Sequence, residues 1–278
     1  MLRDLRDETV KRLFLFLILT FFFSWSLWIF AIFQGTSTAF LLTNILYVAG
    51  VFGPSVAGVV MVLNFYTPSE KRIFISRIFT IRHDGRLFVA IAIIIIPTLV
   101  FLARYMSGLL GLGNPSAILA DLYAASPWNI FRVLFFTLLL GPVSEELGWR
   151  GFFTDSLIKK HDFFATAALT GLVWGFWHIP LFLIPGSGQN AMGIFTLGFW
   201  VFFTTPVVFS FLILILYIAT GGSLAAAILV HFSVNISLVA FPLNSAGYGI
   251  FTIFLVLFVL MLHRAARLPK IRHRSSVT

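Results

Sequence analysis

Within an otherwise apolar stretch, the run Leu140-Gly-Pro-Val-Ser-Glu-Glu-Leu-Gly-Trp-Arg-Gly-Phe-Phe153 sets two carboxylates and a guanidinium. On insertion scales each such group costs roughly 3 kcal/mol at the centre of a bilayer, so Glu145, Glu146 and Arg150 require pairing, a hydrated cavity or a chemical role. The spacing separates the roles. Glu146 and Arg150 lie four apart with the acid N-terminal, the favourable sense for an intrahelical ion pair, whereas Glu145 projects about 100° away with no helical partner within reach. Glu145 is therefore the free carboxylate. Of six histidines, only His178 and His231 fall inside apolar runs. Trp174 precedes His178 by four residues, so its indole can pack beside that imidazole; Asn235 follows His231 by four, which puts an imidazole and an amide on one helix face. A single intramembrane histidine ordinarily makes a structural hydrogen bond, but two of them with an unpaired glutamate point to a site.

The chemistry open to these residues is restricted. The chain has no cysteine, which removes thiol nucleophiles, and no His-Glu-x-x-His run. Its aspartates fall outside the expected membrane centre, which argues against an aspartyl dyad. Ser144, Ser210 and Ser233 keep a serine mechanism formally open, but no lysine is buried beside them and no Gly-x-Ser-x-Gly run is present. The remaining option for hydrolysis is carboxylate and imidazole acting on water, with burial and nearby positive charge working in opposite directions on Glu145.

The elements that must hold these residues are helices in a membrane. With 59% hydrophobic and 10% charged residues over 278 positions, the chain is too apolar for a soluble domain. The expected fold is all-α, a polytopic bundle of about eight transmembrane helices: Leu13–Phe33, Ala39–Phe65, Leu87–Leu110, Asn129–Ile158, Phe163–Ile184, Ile194–Ala219, Ser223–Phe241 and Tyr248–His263. The first is read as a retained span rather than a signal peptide, because no small-residue cleavage site follows it. Pro97, Pro142 and Pro180 should kink or interrupt their helices. Aromatic stretches such as Phe21–Trp28 should meet lipid or the interface. Counted at 1.5 Å per residue from the span ends, Glu145, His178, His231 and Asn235 come to depths of roughly 12–22 Å, compatible with one buried cavity.

The net charge of +9 does not point to nucleic acid, because the basic residues sit in short connections between apolar runs. Arg3, Arg6, Lys11 and Arg12, then Lys71, Arg72, Arg77, Arg82 and Arg86, then Lys159 and Lys160, then Arg264, Arg267, Lys270, Arg272 and Arg274 all fall on one side if both termini are cytoplasmic. The loops around Gly35, Gly113, Gly188 and Asn244 carry no such charge. Pro68–Asp84 alternates basic residues with Ile73, Ile75, Ile78 and Phe79 and should lie in the cytoplasmic interface, most simply as a solvated loop touching headgroups. Asn114–Trp128 reads as an outer loop or short surface helix. The organisation is then 1–128, a three-helix membrane region with the interfacial segment; 129–263, the core that holds the polar constellation; and 264–278, a basic cytoplasmic tail.

Glu145-Glu146-Leu-Gly-Trp-Arg150, Trp174-Gly-Phe-Trp-His178 and His231-Phe-Ser-Val-Asn235, in that order on nearby helices, resemble the three motifs of the CPBP (CAAX protease and bacteriocin-processing, or Abi) intramembrane proteases, which include the type II CAAX prenyl endopeptidases. The resemblance covers about 131–241, and it departs from the family pattern at Trp174, where Phe is usual. It implies that Glu145 and His178 activate the attacking water, that His231 and Asn235 stabilise the oxyanion, and that Glu146 and Arg150 support the site. The resemblance does not choose the substrate, a peptide or protein that is prenylated in some members and a leader peptide in others; membrane lipids are the other expected partner, and the favoured reading is a metal-independent endopeptidase with no cofactor. Three other readings stand beside it: a zinc protease with Glu145, His178 and His231 as ligands, a proton-coupled transporter using the same groups as a relay, and a non-enzymatic immunity protein.

Overall fold

The computed structural model describes residues 2–34, 40–117 and 119–266. Gly35 and the tail residues Arg267, Lys270, Arg272 and Arg274 lie outside them. Among the described residues there is no strand. The helices in chain order are α1 (Leu2–Gln34), α2 (Phe40–Val51), α3 (Gly53–Phe65), α4 (Pro68–Phe79), α5 (His83–Leu109), α6 (Leu119–Ala125), α7 (Trp128–Leu138), α8 (Ser144–Gly148), α9 (Asp155–Leu157), α10 (Phe163–Trp177), α11 (Gly188–Met192), α12 (Leu197–Ala219), α13 (Leu224–Ala240) and α14 (Ser245–Ala266).

This is an integral, multi-pass membrane protein. Five helical spans, α1 from Glu8, α5, α10 with the 3-10 turn after it, α12 and α14, are long and apolar enough to cross a bilayer, and α2 with α3 qualifies as a pair bent by 44°. The other two expected spans are the shorter α13 and the rod from α7 to α9, which carries the buried charges. α14 starts earlier than the apolar pattern alone indicates, because the Asn244 side chain accepts from the Gly247 amide at 2.8 Å and closes its first turn.

The rod from α7 to α9 is not interrupted at Pro142. It widens there into a π turn, Leu139–Val143, in which the Ser144 amide bonds the Leu139 carbonyl five residues back. Proline has no amide to give the carbonyl four residues before it, and a wider turn removes that demand. A second π turn, Trp149–Thr154, follows α8, so the Glu145/Glu146 turn is bracketed by two wide ones. Pro97 is carried inside α5 without breaking it, whereas Pro180 stops α10 at Trp177 and leaves a 3-10 turn, Ile179–Leu183.

α3 crosses α8 at backbone distance. A Cβ on Gly58 would lie 2.7 Å from the Gly148 Cα, and one on Gly148 would overlap the Pro54 carbonyl. Small residues at such a crossing give the close packing that holds helices together where lipid removes the hydrophobic drive. Around it, Phe16, Trp149, Trp177 and Trp28 pack as an aromatic core, all at most 1% exposed. Here the Phe21–Trp28 stretch divides. Phe22 faces outward, while Trp28 is buried with its indole N–H on the Tyr47 carbonyl, and the Trp25 N–H reaches the Trp177 carbonyl at 3.0 Å.

The interfacial segment is a helix rather than a loop. Thr67 and Glu70 form a capping box at the start of α4, and the hydrogen bonds from Thr67 hold the Glu70 carboxyl below the usual glutamate range. Arg77 docks the far end: it donates to Asp155 at 3.0 Å, to the Gly222 carbonyl at 2.6 Å and to the Tyr217 hydroxyl. The basic α4 connection and the α12–α13 turn therefore lie on one face. On the opposite face, Asn244 donates to the Leu112 and Gly113 carbonyls.

Candidate active site

Glu145 and Glu146 diverge from α8 as their spacing requires. Glu146 is 0% exposed, and its Oε1 accepts from Arg150 Nη1 at 2.8 Å, the expected i,i+4 ion pair. The same oxygen also takes a hydrogen bond from His231 Nδ1 at 2.8 Å, a contact across 85 residues that no local spacing announces. Arg150, 1% exposed, reaches on to Ser210 Oγ at 3.3 Å and stacks its guanidinium 4.4 Å from the Trp174 ring centre. Glu146 is the hub joining this rod to α13.

Glu145 has no partner on its own helix, but it is not alone. Trp174 on α10 donates its indole N–H to Glu145 Oε2 at 2.5 Å. Trp174 packs beside His178 as its spacing requires, with ring centres 6.0 Å apart, and takes a second role that the spacing does not announce. It gives the carboxylate a fixed donor, one that a phenylalanine there would lack.

The end of α10 positions His178. Its own amide bonds the Gly175 carbonyl three residues back, leaving the Trp174 carbonyl without its helical donor. The His178 side chain fills that vacancy, with Nδ1 2.7 Å from the Trp174 oxygen. A carbonyl only accepts, so Nδ1 carries the proton and Nε2 keeps its lone pair. His231 is oriented in the same manner by the Glu146 carboxylate. Neither Nε2 has a hydrogen-bond partner among the described residues.

Glu145, His178, His231 and Asn235 all line one cavity of about 240 Å³. Asn235 fits because residue 141 is glycine: a Cβ there would collide with the Asn235 amide nitrogen. That amide makes no hydrogen bond among the described residues. The remaining wall is mainly apolar, from Phe202, Phe209, Val234 and Phe251, with Tyr47 and Val51 contributed by α2. Tyr47 and Gln189 are polar lining groups that the motif spacing did not single out, since each stands alone in its segment. Among the described residues, no three His, Asp or Glu side chains come together as a group able to hold a metal ion.

Residues 127–237 match the family of type II CAAX prenyl endopeptidases described as Rce1-like. All three motifs fall within that segment. The chain is also similar to CAAX prenyl protease 2 of Methanococcus maripaludis, 24% identical over 227 residues that cover 80% of this chain and 82% of that protein. That alignment is longer than the family match and so takes in helices outside the motif-bearing core.

Proposed function

We propose that this protein is an intramembrane endopeptidase in which Glu145 and His178 activate water, His231 and Asn235 stabilise the tetrahedral oxyanion, and no metal takes part. The observation that carries the reading is the convergence of these four side chains on one cavity, each with a chemically suitable atom left free. Trp174 orients the Glu145 carboxyl group, and His178 presents the lone pair of Nε2. Together they take a proton from water as its oxygen attacks the scissile carbonyl carbon. The Asn235 amide donates to the oxygen that becomes negative, where a fixed donor contributes most. The Glu146 carboxylate keeps a proton on His231 Nδ1 and stabilises that ring when it acts as a donor. As the C–N bond breaks, the proton held by the base passes to the leaving amine.

The relative's name supports a prenylated CAAX peptide as the substrate class. The basic connections face the cytoplasm, with both termini on that side. The test is cleavage of an internally quenched, farnesylated CAAX peptide by the purified full chain, with mass spectrometry of the products. Turnover is expected in wild type, surviving exhaustive chelation, and lost in Glu145→Gln with an unchanged thermal melt. Loss of turnover on chelation, restored by zinc, overturns the metal-free mechanism. Substrate-driven proton flux in proteoliposomes without any cleavage overturns the peptidase.

A further inference from the structure

A second cavity, of about 370 Å³, adjoins the first. Leu238 and Tyr248 belong to the walls of both and, among the described residues, are what the two linings share. Leu238 lies three residues beyond Asn235, one turn along α13, and Tyr248 sits in the first turn of α14. The other lining residues include Pro115 after α5, Ala191 and Met192 of α11, and Leu243 and Asn244 between α13 and α14. These connections lie on the face opposite Arg77 and Gly222, where Asn244 ties the α13–α14 connection to Leu112 and Gly113.

The walls differ in rigidity and chemistry. The outer wall is pinned: Arg104 Nη1 donates to the Pro242 carbonyl at 2.6 Å, and Asn244 is held through both ends of its amide. The partition is not pinned by polar contacts, because the Tyr248 hydroxyl has no hydrogen bond among the described residues, and neither has the Gln189 amide in the first cavity. Among the described residues, no charged side chain lines the second cavity and no lysine or arginine lines the first. Free neutral donors and acceptors in an apolar wall match an extended peptide backbone, whose amides need partners wherever water is excluded.

We propose that the two cavities form one passage from the catalytic centre to the face opposite the basic connections, that it binds the uncharged substrate segment on one side of the scissile bond, and that Tyr248 and Leu238 set the size of side chain admitted. The occupant rests on the peptidase reading; the passage does not.

Two experiments separate these parts. The natural chain has no cysteine, so a single Val234→Cys, in the first cavity only, reports access by a water-soluble maleimide. Plugging the passage from either of two elements, with Tyr248→Trp on α14 or Ala191→Trp on α11, should slow that labelling by on the order of tenfold. Equal rates in monodisperse plugged variants would overturn the passage. In the second experiment the farnesylated quenched peptide carries Ala, Leu, Phe or Trp at each position flanking the scissile bond. Tyr248→Ala should raise the Trp-to-Ala ratio of kcat/KM by on the order of tenfold or more at one flank and leave the other alone. Unchanged selectivity in an active variant overturns the subsite. No cleavage even by wild type overturns the peptidase and with it the occupant, while the labelling still decides the passage.

Discussion

Replacing Trp174 by Phe isolates the hydrogen bond that this chain adds to the family pattern. Phe keeps an aromatic ring against His231, Phe209 and the Arg150 guanidinium, which the indole meets at 5.3 Å, 5.9 Å and 4.4 Å. It removes only the N–H donated to Glu145 at 2.5 Å and part of the ring volume. A hydrogen bond to a charged group contributes about 1.5–3 kcal/mol, so a loss felt wholly in the transition state lowers kcat by roughly 10- to 150-fold. The fall should appear in kcat with KM nearly unchanged, because the indole orients the base rather than touching the substrate. Since Phe is usual at the matching place in the family, the chemistry itself does not require the N–H, and activity should drop without vanishing. Kinetics on the farnesylated quenched peptide, with a thermal melt in the same detergent, give both quantities. A kcat within about twofold of wild type would show that the indole N–H does not position Glu145. A melting temperature that falls as steeply as the rate would assign Trp174 to packing alone.

Glu146→Gln and Arg150→Ala should each destabilise the fold by about 3–5 kcal/mol, because either change leaves a buried charge without its partner, and thermal melts matching wild type would count against the hub. Glu146→Gln should also loosen His231, which bonds the same carboxylate oxygen. Asn235→Ala should lower kcat by on the order of 10²–10³ with KM and the melt unchanged; a rise in KM with kcat preserved would make Asn235 a substrate-binding residue instead.

The parts of this molecule that can be read from sequence are those set by one helix at a time. The Glu146–Arg150 pair follows from a four-residue spacing, and the divergence of Glu145 follows from the angle between neighbours on a helix. The apolar runs locate the helices, because a span must satisfy its backbone internally and can do so in few ways. Trp28 shows where such reading stops: it looks like its lipid-facing neighbours in an unbroken apolar run, yet it is buried with its N–H on the Tyr47 carbonyl. Hydropathy alone cannot separate lipid from core when both are apolar.

The contacts that turn separate groups into a site depend on how helices are rotated against one another. Glu146 meets His231 and Trp174 meets Glu145 only because α8, α10 and α13 present particular faces to one cavity. The rotation of α8 is set partly by the π turns on either side, each of which inserts residues into the turn and shifts everything beyond it. Pro142 announces a disturbance there without saying whether the helix bends or widens. Widening keeps the rod continuous while moving Glu145 relative to Trp128–Leu138. The close crossing of Gly58 over Gly148 then holds α8 against α3, so the carboxylates are carried by the most tightly approached backbone near the site. A side chain at either glycine would push α8 away from α3, and with it the segment that carries Glu145 into the cavity.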